Sequence, residues 1–306
     1  MSVRPVTRFF FLGLGFGLVV ATAVLFVYGA ADGRSDAYYL RFATPRQQSL
    51  ILGTSRAAQG IQPGVINDVL GREDVYNFSF TLDNSPYGEA YSDLIRRKLA
   101  PPDEIPDLFI LAVDPWSVSI TCPTGPDTLC LTENERFTGQ LRRVASRPNV
   151  EYLFHYYQEP LYRIVWPASH VMEVAADGWL RVDLPMTAKE RAANRATKME
   201  AYRRHAESWR ISPYRIEALL RLITDLQRRG DVYLVRLPVD PSMLEIEEQY
   251  APDFADSLRR WSAATGSPLL DLTPGSASFQ TLDGNHLEQA SGRRASRAIA
   301  EFIRDR

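Results

Sequence analysis

QSLILGTSR, residues 48–56, is a short apolar run that stops at Gly53 and leads directly into Thr54-Ser55-Arg56. An apolar stretch of this length closed by a turn residue reads as a buried strand. Similar runs recur at residues 107–113 (DLFILAV), 232–237 (VYLVRL) and 268–272 (PLLDL), and residues 74–80 (DVYNFSF) alternate as a strand does. Helix signals lie between them. Residues 63–70 can form a short helix, and Ser85-Pro86 reads as the cap and first turn of a helix through 99. Ser212-Pro213 opens a helix over 214–229, with Leu219, Leu220, Ile223 and Leu226 on one stripe and Gly230 as its C-terminal cap. Residues 254–265 and 288–304 supply two more. Strands alternating with helices specify an α/β fold: a parallel five-stranded sheet with helices on both faces. Ligands of such sheets bind at the carboxyl ends of the strands.

Upstream of this frame, an apolar run over residues 9–31 carries no charge and follows Arg4 and Arg8. It slightly exceeds the roughly 20 residues that span a bilayer core. An uncleaved transmembrane helix is expected, with a cytoplasmic N-terminus by the positive-inside rule. The other reading is a cleaved signal peptide, whose apolar stretch is normally shorter. The expected division is a cytoplasmic tip and anchor over 1–35 and one extracytoplasmic domain over 36–306. Gly13, Gly15 and Gly17 lie inside the apolar run and do not read as a nucleotide loop. A charged share of 24% and an apolar share of 45% are ordinary for a chain with a sizeable core. The net charge of -2 argues against a nucleic-acid partner.

The strand ends hold the chemistry. Ser55 follows the first strand on a Gly-assisted turn, and a serine hydroxyl needs a base to act as a nucleophile. After the fifth strand comes Asp283-Gly284-Asn285-His286. Histidine suits general-base work, and a carboxylate three residues earlier can fix its tautomer. Each of these sequences also makes an ordinary turn; it is their joint occurrence at the two ends of the frame that points to a site.

Gly53-Thr54-Ser55 together with Asp283-Gly284-Asn285-His286 resembles the SGNH/GDSL hydrolase superfamily. That resemblance implies a flavodoxin-like sheet with Ser55 as nucleophile, His286 as base and Asp283 as its orienter. The membrane-anchored envelope branches are similar in their anchor and insertion, among them alginate O-acetyltransferase-like and D-alanyl-lipoteichoic acid biosynthesis proteins. The implied activity is a serine-dependent esterase or O-acyltransferase working through an acyl-enzyme on an envelope or exported polysaccharide, without a cofactor. A multi-spanning membrane acyltransferase is the supplier this resemblance suggests. Two motifs depart from the pattern. The region after the second strand reads Thr81-Leu82-Asp83-Asn84-Ser85, and that after the third reads Val113-Asp114-Pro115-Trp116, so the usual Gly and Asn oxyanion donors are missing. Asn84 is the candidate substitute donor, or else a helix cap. A non-catalytic assembly protein that keeps the fold and binds glycan or a membrane partner is the alternative function.

Arg56 is a candidate for an anionic substrate group or a structural ion pair, and Asp114 is either functional or a turn start. Residues 115–210 read as an insertion after the third strand, with short helices and a charged helix over 188–207. It holds Cys122 and Cys130, which an oxidising compartment would pair across a loop containing Pro123, Gly125 and Pro126, two free thiols being the other possibility. Its aromatics, including Tyr156, Tyr157, Trp166 and Trp179, suit core packing more often than a sugar platform. His155, His170 and His205 lack metal-ligand spacing and are expected to be packing or surface residues.

Overall fold

The computed structural model describes residues 3–122, 125–166 and 171–306. The chain opens with α1 (Val3–Gly29), of which Pro5–Gly29 is long and apolar enough to cross a membrane. Then come α2 (Tyr39–Ala43), β1 (Ser49–Leu52), α3 (Ser55–Gly60), α4 (Pro63–Leu70), β2 (Val75–Asn77), α5 (Glu89–Lys98) and β3 (Asp107–Ala112). The segment after β3 carries β4 (Ser119–Ile120), α6 (Phe137–Gln140), α7 (Val150–His155) and α8 (Tyr162–Val165). It continues through β5 (Met172–Val174), β6 (Leu180–Val182), α9 (Ala188–Ser208) and β7 (Arg210–Ile211). The frame resumes with α10 (Pro213–Gln227), β8 (Gly230–Arg236), α11 (Pro241–Tyr250), α12 (Phe254–Thr265), β9 (Leu269–Asp271) and α13 (Gln289–Arg304).

Five strands form one sheet in the order β2-β1-β3-β8-β9, every pair parallel. Counted along the chain this is 2-1-3-4-5, the flavodoxin-like doubly wound order, whose switch point lies between the first and third strands. The central strands β1 and β3 are buried throughout and apolar after their first residues, Ser49 and Asp107, because both faces are covered. On one face Ile51, Ile110 and Val235 pack with Ala57, Ile66, Ala295 and Ile299 from α3, α4 and α13. On the other, Leu50, Phe109 and Leu234 meet Leu94, Leu219, Ile223 and Leu258 from α5, α10 and α12. The α10 stripe is Leu219, Leu222, Ile223 and Leu226, spaced as one helical face. Leu220, expected on it, is only partly buried.

Three local expectations are corrected. Ser85 does not cap a helix: α5 starts at Glu89, and the Ser85 hydroxyl instead donates to the Gly53 carbonyl at 2.8 Å. Gly230 does not cap α10; it is the first residue of β8. A Cβ there would lie 1.9 Å from the Asp107 carbonyl oxygen, so the strand pairing itself requires glycine. Helix α11 was not anticipated, although Asp240-Pro241 has the same start signal as Ser212-Pro213. Asp240 accepts from the Ser242 amide, and Pro241 opens the helix.

The segment after β3 is stitched from short pieces, with two small antiparallel pairs, β4·β7 and β5·β6. Its core is aromatic: Phe137 and Tyr152 pack against Phe42 and Phe80. Tyr156 and Tyr157 lean on the same cluster. Cys122 and Cys130 are joined as a disulfide with Cα atoms 5.5 Å apart. Pro123 and His170 lie outside the described residues. Helix α9 is the one long element there, capped by the reciprocal pair Thr187 and Glu190, and buries only Met199 and Tyr202.

Candidate active site

The turn after β1 sets the first functional side chain. Gly53 has φ 146°, and a Cβ there would stand 3.0 Å from the Ala112 carbonyl, so only glycine lets the chain leave β1 this way. The Gly53 peptide is clamped on both sides. Its N–H donates to the Tyr91 hydroxyl, 3.2 Å, and its carbonyl accepts from Ser85. Ser55 is therefore presented at the first position of α3, at the carboxyl edge of the sheet.

The loop before α13 brings the partners. Asp283 Oδ1 accepts from the amides of Asn285 (3.0 Å) and His286 (2.9 Å), which folds the loop around Gly284 at φ 87°. Asp283 Oδ2 lies 2.9 Å from His286 Nδ1, and His286 Nε2 lies 2.8 Å from Ser55 Oγ. With Nδ1–H donating to the carboxylate, Nε2 is the acceptor that faces the serine hydroxyl. Lys198 Nζ from α9 stands 3.4 Å from Asp283 Oδ2. Burial alone would raise the Asp283 value. The His286 ring and amide and the Lys198 charge outweigh it and hold the carboxyl well below the usual carboxylate range.

Beneath the triad lies a buried polar network. Arg56 Nε donates to Asn285 Oδ1 at 2.8 Å. Because guanidinium only donates, this contact fixes the amide so that Asn285 Nδ2 faces His286 Nε2, 3.2 Å away. Arg56 is itself held by Glu247 at 2.6 Å and by Asp114 at 3.9 Å. Glu247 also accepts from Trp116 Nε1 (3.0 Å) and Arg236 (3.2 Å). Burial pulls the Arg56 value down, but Glu247 and Asp114 outweigh it and keep the guanidinium charged. For Asp114, burial pushes the carboxyl up, with Arg56 opposing and Glu247 reinforcing.

This arrangement bears on the alternatives that the sequence left open. Arg56 and Asp114, candidates for substrate contact or for structural roles, are both about 95% buried, and Arg56 pairs with both Asp114 and Glu247 below the edge that carries Ser55. Asn84, the candidate oxyanion donor, gives its amide to Thr81 Oγ1 at 2.6 Å and lines a different hollow, beside Asp36 and Phe137. The aromatic platform does not assemble. Tyr156 and Tyr157 serve the core, Trp179 donates to the Gln59 carbonyl and Trp166 is exposed elsewhere. His155 is exposed beside Phe154, whereas His205 is half-buried against Trp209 and burial lowers its value. Sequence reading also missed Glu247, Lys198 and Asn285. Glu247 had a signal in the unrecognised start of α11, and Asn285 in its place between Asp283 and His286.

Ser55 opens into a cleft of about 360 Å³ walled by Tyr38, Phe80, Leu82, Leu180, Tyr202 and Trp209. A second hollow of about 390 Å³ shares Gln59, Met172, Lys198, Ala201 and His286 with it. A third, of about 600 Å³, joins the second at Leu282 and carries Arg191 and Arg195. All three run along α9, whose 21 residues span roughly 30 Å.

No protein-family model matches the chain, and no curated protein matches it. Among solved structures, an inhibitor-bound aryl esterase of M. smegmatis matches over 84% of this chain and 99% of its own length, at 12% identity and a TM-score of 0.39.

Proposed function

We propose that the chain is a serine-dependent esterase or O-acyltransferase whose Ser55, His286 and Asp283 form an acyl-enzyme. The observation that carries this reading is the unbroken line from Ser55 Oγ through His286 to Asp283, with contacts of 2.8 and 2.9 Å. His286 Nε2 takes the hydroxyl proton as Ser55 Oγ bonds to the acyl carbonyl. Asp283 holds the imidazolium so formed, and His286 returns the proton to the leaving oxygen. Water or a sugar hydroxyl, deprotonated by His286 in turn, then releases the acyl group. One oxyanion donor is the Ser55 N–H, since the first amides of a helix have no partner within it. Such a donor is worth roughly 3 kcal/mol in the transition state.

The three neighbouring hollows along α9 suit an extended acceptor, which favours an envelope or exported polysaccharide over a small ester. Arg8, just ahead of the uncharged run that begins at Phe9, supports a cytoplasmic N-terminus and an extracytoplasmic domain. A multi-spanning membrane acyltransferase is the kind of partner that would supply acyl groups on that side.

The second reading, an assembly protein that binds without turnover, draws on Asn84, whose amide is committed to Thr81. Incubating the full chain with p-nitrophenyl acetate, with and without acetylatable glycan, separates the two. Release of nitrophenol by wild type and none by Ser55→Ala is expected, with acetyl appearing on the glycan if it is a transferase. Equal release by wild type and Ser55→Ala would favour the binding protein.

A further inference from the structure

We infer that α7 and α8 present a membrane-docking face, so that the domain lies on the bilayer surface instead of hanging free from its anchor. The inference rests on α1 spanning the membrane and is independent of the triad. About 20 helical residues cross a bilayer core of roughly 30 Å. Counted from Phe9, just after Arg8, that length is used up near Tyr28. There the helix no longer faces only surroundings outside the protein: Val24, Val27 and Tyr28 pack into the core of the domain. Helix α1 touches both α7 and α8. These two short helices therefore sit at the level where the anchor leaves the hydrocarbon.

Their outward side chains suit that level. Leu161 and Val165 lie one helical turn apart, as do Tyr162 and Trp166, and all four are exposed, Trp166 at 80%. Phe154 of α7 is likewise 72% exposed, while Ile164 faces inward and is buried. Arg163 stands over the Tyr162 ring, 5.3 Å from its centroid, where a guanidinium can meet lipid phosphate. Glu159, exposed in the link between α7 and α8, would favour the water side. Large apolar patches on a domain surface mark an interaction site, and Trp, Tyr and Arg at the end of a span are the residues that settle in the headgroup region.

The test uses the full-length protein in phosphatidylethanolamine–phosphatidylglycerol vesicles whose acyl chains are brominated. Trp166 is the exposed one of five tryptophans, so bromine should quench about a fifth of the emission, and Trp166→Phe should remove that component. Benzoylphenylalanine at position 166 should cross-link to lipid. Vesicle flotation verifies that α1 is inserted. Inserted protein with the same quenching in wild type and Trp166→Phe would overturn the docking face, as would cross-linking to a second copy of the chain. Failure to float would overturn the anchor itself.

Discussion

The edge of the sheet that carries Ser55 and the segment between β3 and α10 are built by different physics. At the edge, each functional group is fixed by short polar contacts and backbone geometry. Gly53 turns the chain, Asp283 folds its own loop, and Arg56 on Glu247 supports the base from below. In the inserted segment, position comes from aromatic rings packed on rings, one disulfide and a long charged helix whose buried face is narrow. Substitutions should accordingly separate: chemistry without stability at Ser55, both at Asp283 and in the network beneath the edge, and stability without chemistry in the disulfide loop.

The largest effect is expected from Ser55→Ala and His286→Ala. Each should lower ester turnover at least about a thousandfold, while Asp283→Asn keeps on the order of ten- to a hundredfold more activity, because it orients the base without carrying the proton. Circular dichroism and thermal melts of Ser55→Ala should match wild type. A large loss of melting temperature in Ser55→Ala would erase the separation, since it would make the serine structural.

Next in size is Glu247→Gln. Removing one charge from a buried pair costs roughly 3–5 kcal/mol. Arg56 and Arg236 would each lose the nearer of their two carboxylate partners, leaving Asp114 at 3.9 Å and Asp271 at 4.0 Å, so urea unfolding should shift by up to that amount. Turnover should also fall, because Arg56 holds Asn285 against His286. Stability lost with turnover unchanged would show that the network bears load without positioning the base.

These two regions also differed in how much the sequence disclosed. The strands of the sheet and the meeting of Ser55, Asp283 and His286 were legible because they rest on local rules: apolar runs closed by turn residues, and a Gly-flanked serine and a spaced Asp–His pair at strand ends. The Arg56 support was half legible. The residue stood out beside Ser55, but its partner Glu247 lies 191 positions on, in a helix whose Asp240-Pro241 start was overlooked. Ser85-Pro86 misled for the opposite reason, since the Gly53 carbonyl claims the hydroxyl that would have capped a helix. In the inserted segment, aromatic residues gave no periodicity to read. Which rings are buried depends on contacts with Phe42 and Phe80, far away in the chain.

A smaller effect belongs to the disulfide. Replacing Cys122 and Cys130 by serine reopens a loop with a sequence separation of 8 residues, a loss of about 2.5 kcal/mol in the chain-entropy model. The melting temperature should fall while kcat stays within a few-fold of wild type. A matching collapse of kcat would join the loop to the site and end the contrast.

The smallest concerns acid. The Asp283 carboxyl is held below its ordinary 3.8, so its stabilisation is full above that value and is lost as pH falls through the lowered one. Asp283→Asn should thus be less stable than wild type near neutrality and show a shallower stability loss below about pH 4. Identical acid-unfolding curves would remove the carboxylate from the fold's charge balance.

The central claim is that Ser55 is an activated nucleophile, and a fluorophosphonate probe reads this most directly. Full-length protein exposed to the probe and then digested should carry one phosphonyl adduct, located by peptide mass spectrometry on Ser55, absent from Ser55→Ala and strongly reduced in His286→Ala. No adduct on wild type, or an adduct that persists in Ser55→Ala, would contradict it.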